Sequence, residues 1–267
     1  MKILARIAVL GLVLLALPVA GAAQAQTIVS LTFDDGIATQ YTQARSSLVS
    51  HGMHGTFYVN SGNIGANGYY MTWSNVATLA ADGNEIGGHT LNHKRLTDLT
   101  STEQRRQICD DRTALQDRGY TVTDFAYPYG AGAHNSTTRG IVKDCGYTTA
   151  RMVGDLRDSN DCPSCAYAET IPPQDALAVR STPYVSGPIT LPILKNWVTQ
   201  AEQHGGGWVP VMFHDICNGC GDASVSASDF VQFRQFFGGS SFMFDFDGSV
   251  SASDFTQFRL RFDGTLP

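Results

Sequence analysis

The sequence predicts an α/β domain built on a largely parallel sheet or barrel, and three observations carry that expectation. Short apolar runs alternate with segments of helical spacing between residues 27 and 213, a pattern of βα repeats rather than of hairpins. The 267 residues are 43% hydrophobic and 16% charged, enough apolar material for a substantial core and too much for a disordered chain. Side chains capable of chemistry gather just past the apolar runs, where loops of such folds build their sites.

The elements follow in order. Thr27 to Phe33 is an apolar strand, and Tyr41 to Ser50 has helical spacing. Gly55 to Asn60 is a second strand, rich in aromatic and β-branched residues. Trp73 to Asp82 places Trp73, Val76, Ala77 and Ala80 on one helical face and stops at Gly83, a helix-end signal. A strand at Glu85 to Gly88 precedes a polar-faced helix from Ser101 to Arg118. Phe125 to Tyr127, Thr148 to Val153 and Trp208 to Phe213 are further strands, with helices at Thr137 to Asp144 and Leu191 to His204 between them.

Both ends of the chain stand apart from this alternation. Lys2 and Arg6 precede the apolar run Ile7 to Ala20, and Ala23-Gln24-Ala25 closes it, so residues 1–25 read as a secretory signal peptide rather than a retained anchor. Its removal takes away two positive charges and moves the formal net charge from −6 to −8. An acidic, exported chain with no second long apolar run excludes a nucleic-acid partner and a multi-span membrane protein. Export also favours disulfides over a four-thiolate zinc site for Cys109, Cys145, Cys162, Cys165, Cys217 and Cys220. Cys109 then pairs with Cys145, while the two C-x-x-C pairs either close locally or cross-link to each other.

Near the C-terminus, Ser224 to Arg234 reappears as Ser249 to Arg259 with one difference in eleven positions. Each copy carries a capping box, Ser226 with Asp229 and Ser251 with Asp254, and a phenylalanine stripe: Phe230, Phe233 and Phe237, then Phe255, Phe258 and Phe262. Two amphipathic helices packed on the main domain are one reading. The other is a degenerate dockerin-like or EF-hand loop holding Ca2+ through Asp245, Asp247, Ser251 and Asp254, which Met243 at the first ligand position argues against. The domain plan is therefore a signal peptide at 1–25, a main domain at 26–237 and a repeat-bearing tail at 238–267, which is a candidate dock for a protein partner.

Four short stretches carry chemistry. Thr32-Phe-Asp-Asp-Gly36 ends the first strand with adjacent carboxylates that point apart, so one can bind a metal while the other handles protons. His89-Thr-Leu-Asn-His93 spaces two imidazoles at i and i+4, as on one face of a helical turn closing on a cation. Tyr127-Pro-Tyr-Gly130 and Val211-Met-Phe-His214 each follow a strand. The histidines His51, His54, His134 and His204 lie in polar or Gly-rich contexts and read as surface residues.

In order and spacing these stretches resemble the polysaccharide deacetylases of the NodB-homology family, carbohydrate esterase family 4, over residues 27–237. The resemblance implies a distorted seven-stranded (β/α) barrel with a short helical C-terminal extension. It implies a divalent metal, zinc foremost with Co2+, Ni2+ and Mn2+ as alternatives, held by Asp35, His89 and His93. Asp34 is then the general base, His214 the general acid, and the Tyr129 backbone N–H an oxyanion donor. Two departures stand out. The Arg that orients the base, two residues before the third-motif proline, is Ala126 here, and Arg151 is the candidate replacement on its strand location alone. The fourth motif, Asp followed by Trp, has no clean counterpart, although Asp155 and Asp158 occupy the region.

The implied function is a secreted, extracellular or periplasmic enzyme that hydrolyses N-acetyl groups of chitin, peptidoglycan or poly-N-acetylglucosamine and has no membrane attachment after signal cleavage. Its alternatives are an O-acetyl xylan esterase of the same family and a non-catalytic, metal-stabilised carbohydrate-binding protein. Retention of both Asp34 and His214 favours catalysis, since binding alone requires neither.

Overall fold

A computed structural model describes residues 27–158, 162–185, 187–218 and 224–236. The predicted signal peptide, the second repeat copy and the tail at 238–267 lie outside the described residues. Among the described residues no helix is long and apolar enough to cross a membrane.

Seven parallel strands form one sheet: β1 (Thr27–Phe33), β2 (Thr56–Val59), β3 (Glu85–Gly88), β4 (Asp124–Ala126), β5 (Thr149–Asp155), β6 (Val179–Ser181) and β7 (Gly207–Phe213). Their spatial order is β6-β5-β4-β3-β2-β1-β7. The two ends of this order curl towards each other into a nearly closed barrel. The Thr182 amide donates to the Pro210 carbonyl at 2.9 Å, and Glu169 and Trp208 exchange backbone bonds at 2.7 and 2.8 Å. Period-two alternation decides which side chains face where. Val29, Leu31, Phe33, Phe57, Ile86, Phe125, Val209, Val211 and Phe213 join the apolar core beneath the helices. The inner wall is mixed, with the polar Ser30, Thr32, Thr56, Asp124, Thr149 and Arg151 beside Tyr58, Val179, Trp208 and Pro210 around a void of about 10 Å3, room for roughly one water.

The helices are α1 (Arg45–Val49), α2 (Trp73–Ala81), α3 (Ser101–Arg105), α4 (Asp111–Gln116), α5 (Ser136–Asp144), α6 (Leu191–Gln203) and α7 (Ala227–Phe236). Two differ from the periodicity that predicts them. The helix expected from Tyr41 opens as a π-turn, Gln40–Ala44, and the one expected from Ser101 is interrupted by a second π-turn, Arg106–Asp110. β6 has no counterpart among the predicted elements: three residues, Val-Arg-Ser, are too few to show a period, and only pairing with β5 defines them. His54 is half-buried rather than on the surface, its ring lying where a side chain on Gly83 would project.

Cys109 and Cys145 form a disulfide across 36 residues, and Cys162 closes locally on Cys165. That local closure rules out the four-thiolate zinc reading. Cys217 is also disulfide-bonded, and Cys220 lies outside the described residues. The first repeat copy forms α7, entered through Ser226, whose hydroxyl accepts the Asp229 amide at 2.9 Å. Its Phe230 packs against Phe33 at 6.0 Å and Phe213 at 5.6 Å.

Candidate active site

Register, not sequence proximity, assembles the site. β1 and β7 pair without a slip from Thr27↔Gly207 to Phe33↔Phe213, so Asp34 and His214 leave the barrel side by side. The Asp34 amide donates to the Phe213 carbonyl at 2.9 Å. Buried Gln40, at the start of the first π-turn, donates its side-chain amide to the Asp34 carbonyl at 2.5 Å and to the His214 carbonyl at 3.0 Å. π-turns often mark functional sites because the extra residue re-aims a side chain.

The Asp34 side chain is 2% exposed and faces Arg151, whose Nη2 donates to both carboxylate oxygens, at 2.6 Å for Oδ2. Arg151 pairs in register with Ala126 on the neighbouring strand, so the two side chains share the inner face of the sheet. The cation absent from position 126 is thus supplied one strand away at the same level, and the small Ala126 leaves room for it. The Tyr58 ring lies 5.0 Å from the guanidinium carbon, and the Tyr58 hydroxyl donates to Asp124.

Asp35 turns away from its neighbour through a left-handed backbone (φ 75°), a conformation unusual for a residue other than glycine. Its Oδ1 lies 3.4 Å from His89 Nε2 and 3.2 Å from His93 Nε2. The two histidines do not sit on a helical turn as their spacing predicts. Residues 89–95 are irregular, and Thr90 and His93 have φ of 69° and 55°. This turn is held from three sides. Asn60 donates to the carbonyls of His89 and Thr90, Asp111 accepts the His89 amide at 3.0 Å, and Gln107, in the second π-turn, accepts the Asn92 amide at 3.1 Å.

The donor set fits a divalent cation. His89 Nδ1 bonds the Ala126 carbonyl at 2.7 Å, which fixes the proton there and aims the Nε2 lone pair inward. The buried His89 Nε2 and Asp35 Oδ1 have no hydrogen-bond partner among the described residues. The ligand atoms of Asp35, His89 and His93 all lie within 4.8 Å of one another. Tetrahedral zinc with bonds near 2.0–2.1 Å separates its ligand atoms by about 3.3 Å, close to the carboxylate–imidazole spacings. The electrostatics agree. Burial raises the Asp35 pKa, but the imidazoles of His89, His93 and His214 outweigh it and hold the carboxyl well below its ordinary range. Burial and neighbouring His89 press His93 down to about 4. Burial also lowers His89, but Asp35 and Asp34 override it and leave the ring raised.

Tyr129 (φ 59°) follows β4 with its ring against His93, centroids 4.5 Å apart, and Arg95 over it at 4.8 Å. His214 reaches the same centre from β7, its Nε2 3.9 Å from Asp35 Oδ2. Its Nδ1 is buried and has no partner among the described residues. Asp155, a fourth-motif candidate, instead meets His134 at 3.3 Å.

The family model described as polysaccharide deacetylase matches residues 21–150. The chain belongs to the polysaccharide deacetylase family. It is 35% identical over 107 residues to the peptidoglycan-N-acetylmuramic acid deacetylase PdaC of Bacillus subtilis, a stretch covering 39% of this chain and 22% of that protein. It is 35% identical over 86 residues to a chitin deacetylase of Pestalotiopsis sp, covering 32% and 28%. The matches therefore span less than a third of either relative. The family 4 carbohydrate esterase from Streptomyces lividans, solved in complex with acetate, shares the polysaccharide deacetylase fold with a TM-score of 0.54 at 19% identity, covering 80% of this chain and 90% of that one.

Gln40, Asn60, Gln107 and Asp111 escape sequence reasoning. Gln107 and Asp111 stand in a run of polar residues and Gln40 and Asn60 beside apolar ones, and only burial reveals what each holds. The absence of a regular helix at either π-turn is not visible in composition.

Proposed function

We propose that this protein is an exported, metal-dependent carbohydrate deacetylase acting on N-acetylated amino sugars of a polysaccharide. The observation that carries the reading is the buried Asp34–Arg151 pair standing beside the converged Asp35, His89 and His93, with His214 delivered to the same point by strand register. A divalent ion, zinc foremost, held by Asp35, His89 and His93 supplies Lewis acidity towards the acetyl carbonyl and makes water a better nucleophile near neutral pH.

This chain's residues do the rest. Arg151 fixes the Asp34 carboxylate in one orientation, and each oxygen retains a second lone pair. Asp34 takes the proton of the attacking water as general base. The Tyr129 N–H donates to the oxygen that gains charge as the carbonyl carbon becomes tetrahedral. His214 hands a proton to the departing nitrogen, releasing a free amine and acetate. The names of PdaC and the Pestalotiopsis enzyme support peptidoglycan and chitin as substrate classes.

A second reading, an O-acetyl esterase, is favoured by His214 Nδ1. Among the described residues nothing bonds this Nδ1, and an ester's alkoxide leaving group depends less on a delivered proton than an amine does. Acetate release from chitin oligomers and from acetylated xylan distinguishes the two, and release from neither leaves only carbohydrate binding. Asp34→Ala with metal still bound should abolish release; undiminished release would remove the base assignment.

A further inference from the structure

Arg151 holds Asp34, and its own remaining donor points to what holds Arg151 in turn. A guanidinium carries five N–H donors and no acceptor. Here Nη2 donates to both Asp34 oxygens, and Nη1 donates to the Met152 carbonyl at 2.9 Å. Nε is buried and meets no protein acceptor among the described residues. A buried donor left unmet costs stability, so a side chain this enclosed normally finds an acceptor or an ordered water.

Arg151 lines the water-sized void inside the barrel, and so does Asp124, a second buried carboxylate. The two stand on neighbouring strands, where β4 and β5 pair as Asp124↔Thr149 and Ala126↔Arg151. Asp124 is fixed by three donors. Its Oδ1 accepts the Thr149 hydroxyl at 2.9 Å and the Phe125 amide at 2.8 Å, and its Oδ2 accepts the Tyr58 hydroxyl. A carboxylate has about four acceptor sites, so one on Oδ2 remains open. Tyr58 comes from β2 and must cross β3 to reach Asp124. It crosses at Gly87, its partner in register. A Cβ on Gly87 would stand 2.5 Å from the Tyr58 ring, so glycine there is what lets the ring pass. Burial raises the Asp124 carboxyl, while its hydrogen bonds and the charge of Arg151 pull it back. Burial also opposes the charge on Arg151, and Asp34, Tyr58 and Asp124 outweigh it.

We propose that Asp124, fixed by Tyr58, is a positioning residue for the base: one water in the void accepts the Arg151 Nε–H and donates to the Asp124 carboxylate, so that two carboxylates hold one guanidinium. The void has the volume for one water and polar partners to orient it. Neither Asp124 nor Tyr58 touches the reacting atoms; they act through Arg151, and Arg151 acts through Asp34. The effect on rate rests on the deacetylase reading of the site, whereas the water link does not.

Two measurements on the full, zinc-loaded protein decide it. The first is steady-state acetate release from the N-acetylglucosamine hexamer. Asp124→Asn should lower kcat about tenfold and Tyr58→Phe about threefold, with KM unchanged, because the base is misaimed while the substrate contacts remain. The second needs no turnover. In protein labelled with 15N at arginine, the Arg151 Nε–H resonance, assigned by its loss in Arg151→Lys, should show magnetisation transfer from a long-lived water. Exchange of that proton should quicken about tenfold in Asp124→Asn. Should Asp124→Asn fail to fold, Tyr58→Phe, which loses one hydroxyl, carries both readouts. The water contact with faster exchange upholds the link even if the wild type releases no acetate, in which case the deacetylase reading fails alone. Where acetate is released, the absence of a water contact, unchanged exchange, an unchanged kcat or a change confined to KM overturns the proposal and leaves the deacetylase reading intact.

Discussion

The two arms of the site, Asp34 on β1 and His214 on β7, leave adjacent strands at the same level yet are held very differently. Asp34 is buried, clamped by Arg151 through both oxygens, with its carbonyl tied to Gln40. His214 has a side chain 20% exposed, an Nδ1 with no partner among the described residues and a carbonyl that shares the same Gln40. One arm is over-determined and the other is anchored mainly through its backbone. A group that must accept a proton at a fixed point gains from rigidity, whereas one that delivers a proton to a departing atom can follow it over a short distance. The contrast also matches the two departures from the family pattern: Asp34, the proposed base, meets a cation from another strand, and His214, the proposed acid, has no partner at Nδ1 among the described residues.

The largest effect should come from breaking the rigid arm. Arg151→Met leaves the Asp34 carboxylate buried without its partner, which costs about 3–5 kcal/mol and lowers Tm by roughly 6–20 °C for a domain of this size. His214→Ala should reduce acetate release as severely, by about 100-fold or more, yet change stability by no more than about 1 kcal/mol. Paired thermal melts and rate measurements separate the arms. Equal stability losses in the two variants would show that the asymmetry is not energetic.

An intermediate effect is expected at the residue common to both arms. Gln40→Leu removes two hydrogen bonds, one to the buried Asp34 carbonyl and one to the part-buried His214 carbonyl, at about 1–3 kcal/mol of stability. Because the variant displaces both backbones while leaving the side chains present, kcat should fall about tenfold with KM little changed. Gln107→Leu, the corresponding change in the second π-turn, should act on the metal side instead. It loosens the turn carrying His93 and weakens zinc affinity about tenfold, read by competition with a chromogenic chelator. A kcat loss in Gln107→Leu at saturating zinc equal to that in Gln40→Leu would contradict this division.

These pairs also show what the sequence makes legible. Six of the seven strands and the positions of Asp34, Asp35, His89, His93 and His214 can be read because strand ends and short motifs are local in sequence, with Thr27–Phe33 and Glu85–Gly88 agreeing with their predicted limits; the seventh strand and the barrel follow from the family resemblance alone. Arg151 is nameable as a candidate from its strand alone, but its meeting with Asp34 across 117 positions depends on the β4–β5 register, which no local pattern encodes. The His89–His93 spacing points to a shared cation for a reason that does not hold here. Left-handed residues at Thr90 and His93, not a helix, bring the rings together. Gln40, Gln107, Asn60 and Asp111 are illegible for a related reason: a buried polar side chain is recognised by the backbone groups it satisfies, and those groups belong to other loops.

The smallest expected effect lies beneath both arms. α7 places Phe230 against Phe33 and Phe213, the residues immediately before Asp34 and His214, so the first repeat copy is part of the floor on which both stand. Ser226 caps that helix through the Asp229 amide. Ser226→Ala should cost about 1 kcal/mol and lower Tm by roughly 2–4 °C, with kcat unchanged because the packed phenylalanines outlast a frayed first turn. If activity falls while Tm holds, the cap would be setting the positions of the two arms rather than only the stability of the helix. Loss at Asp34 and His214 would then have to be apportioned by comparing the rate defect with that of Gln40→Leu. An additive double variant would place the two supports on independent paths, and a non-additive one would show that floor and clamp act through the same displacement of β1 against β7.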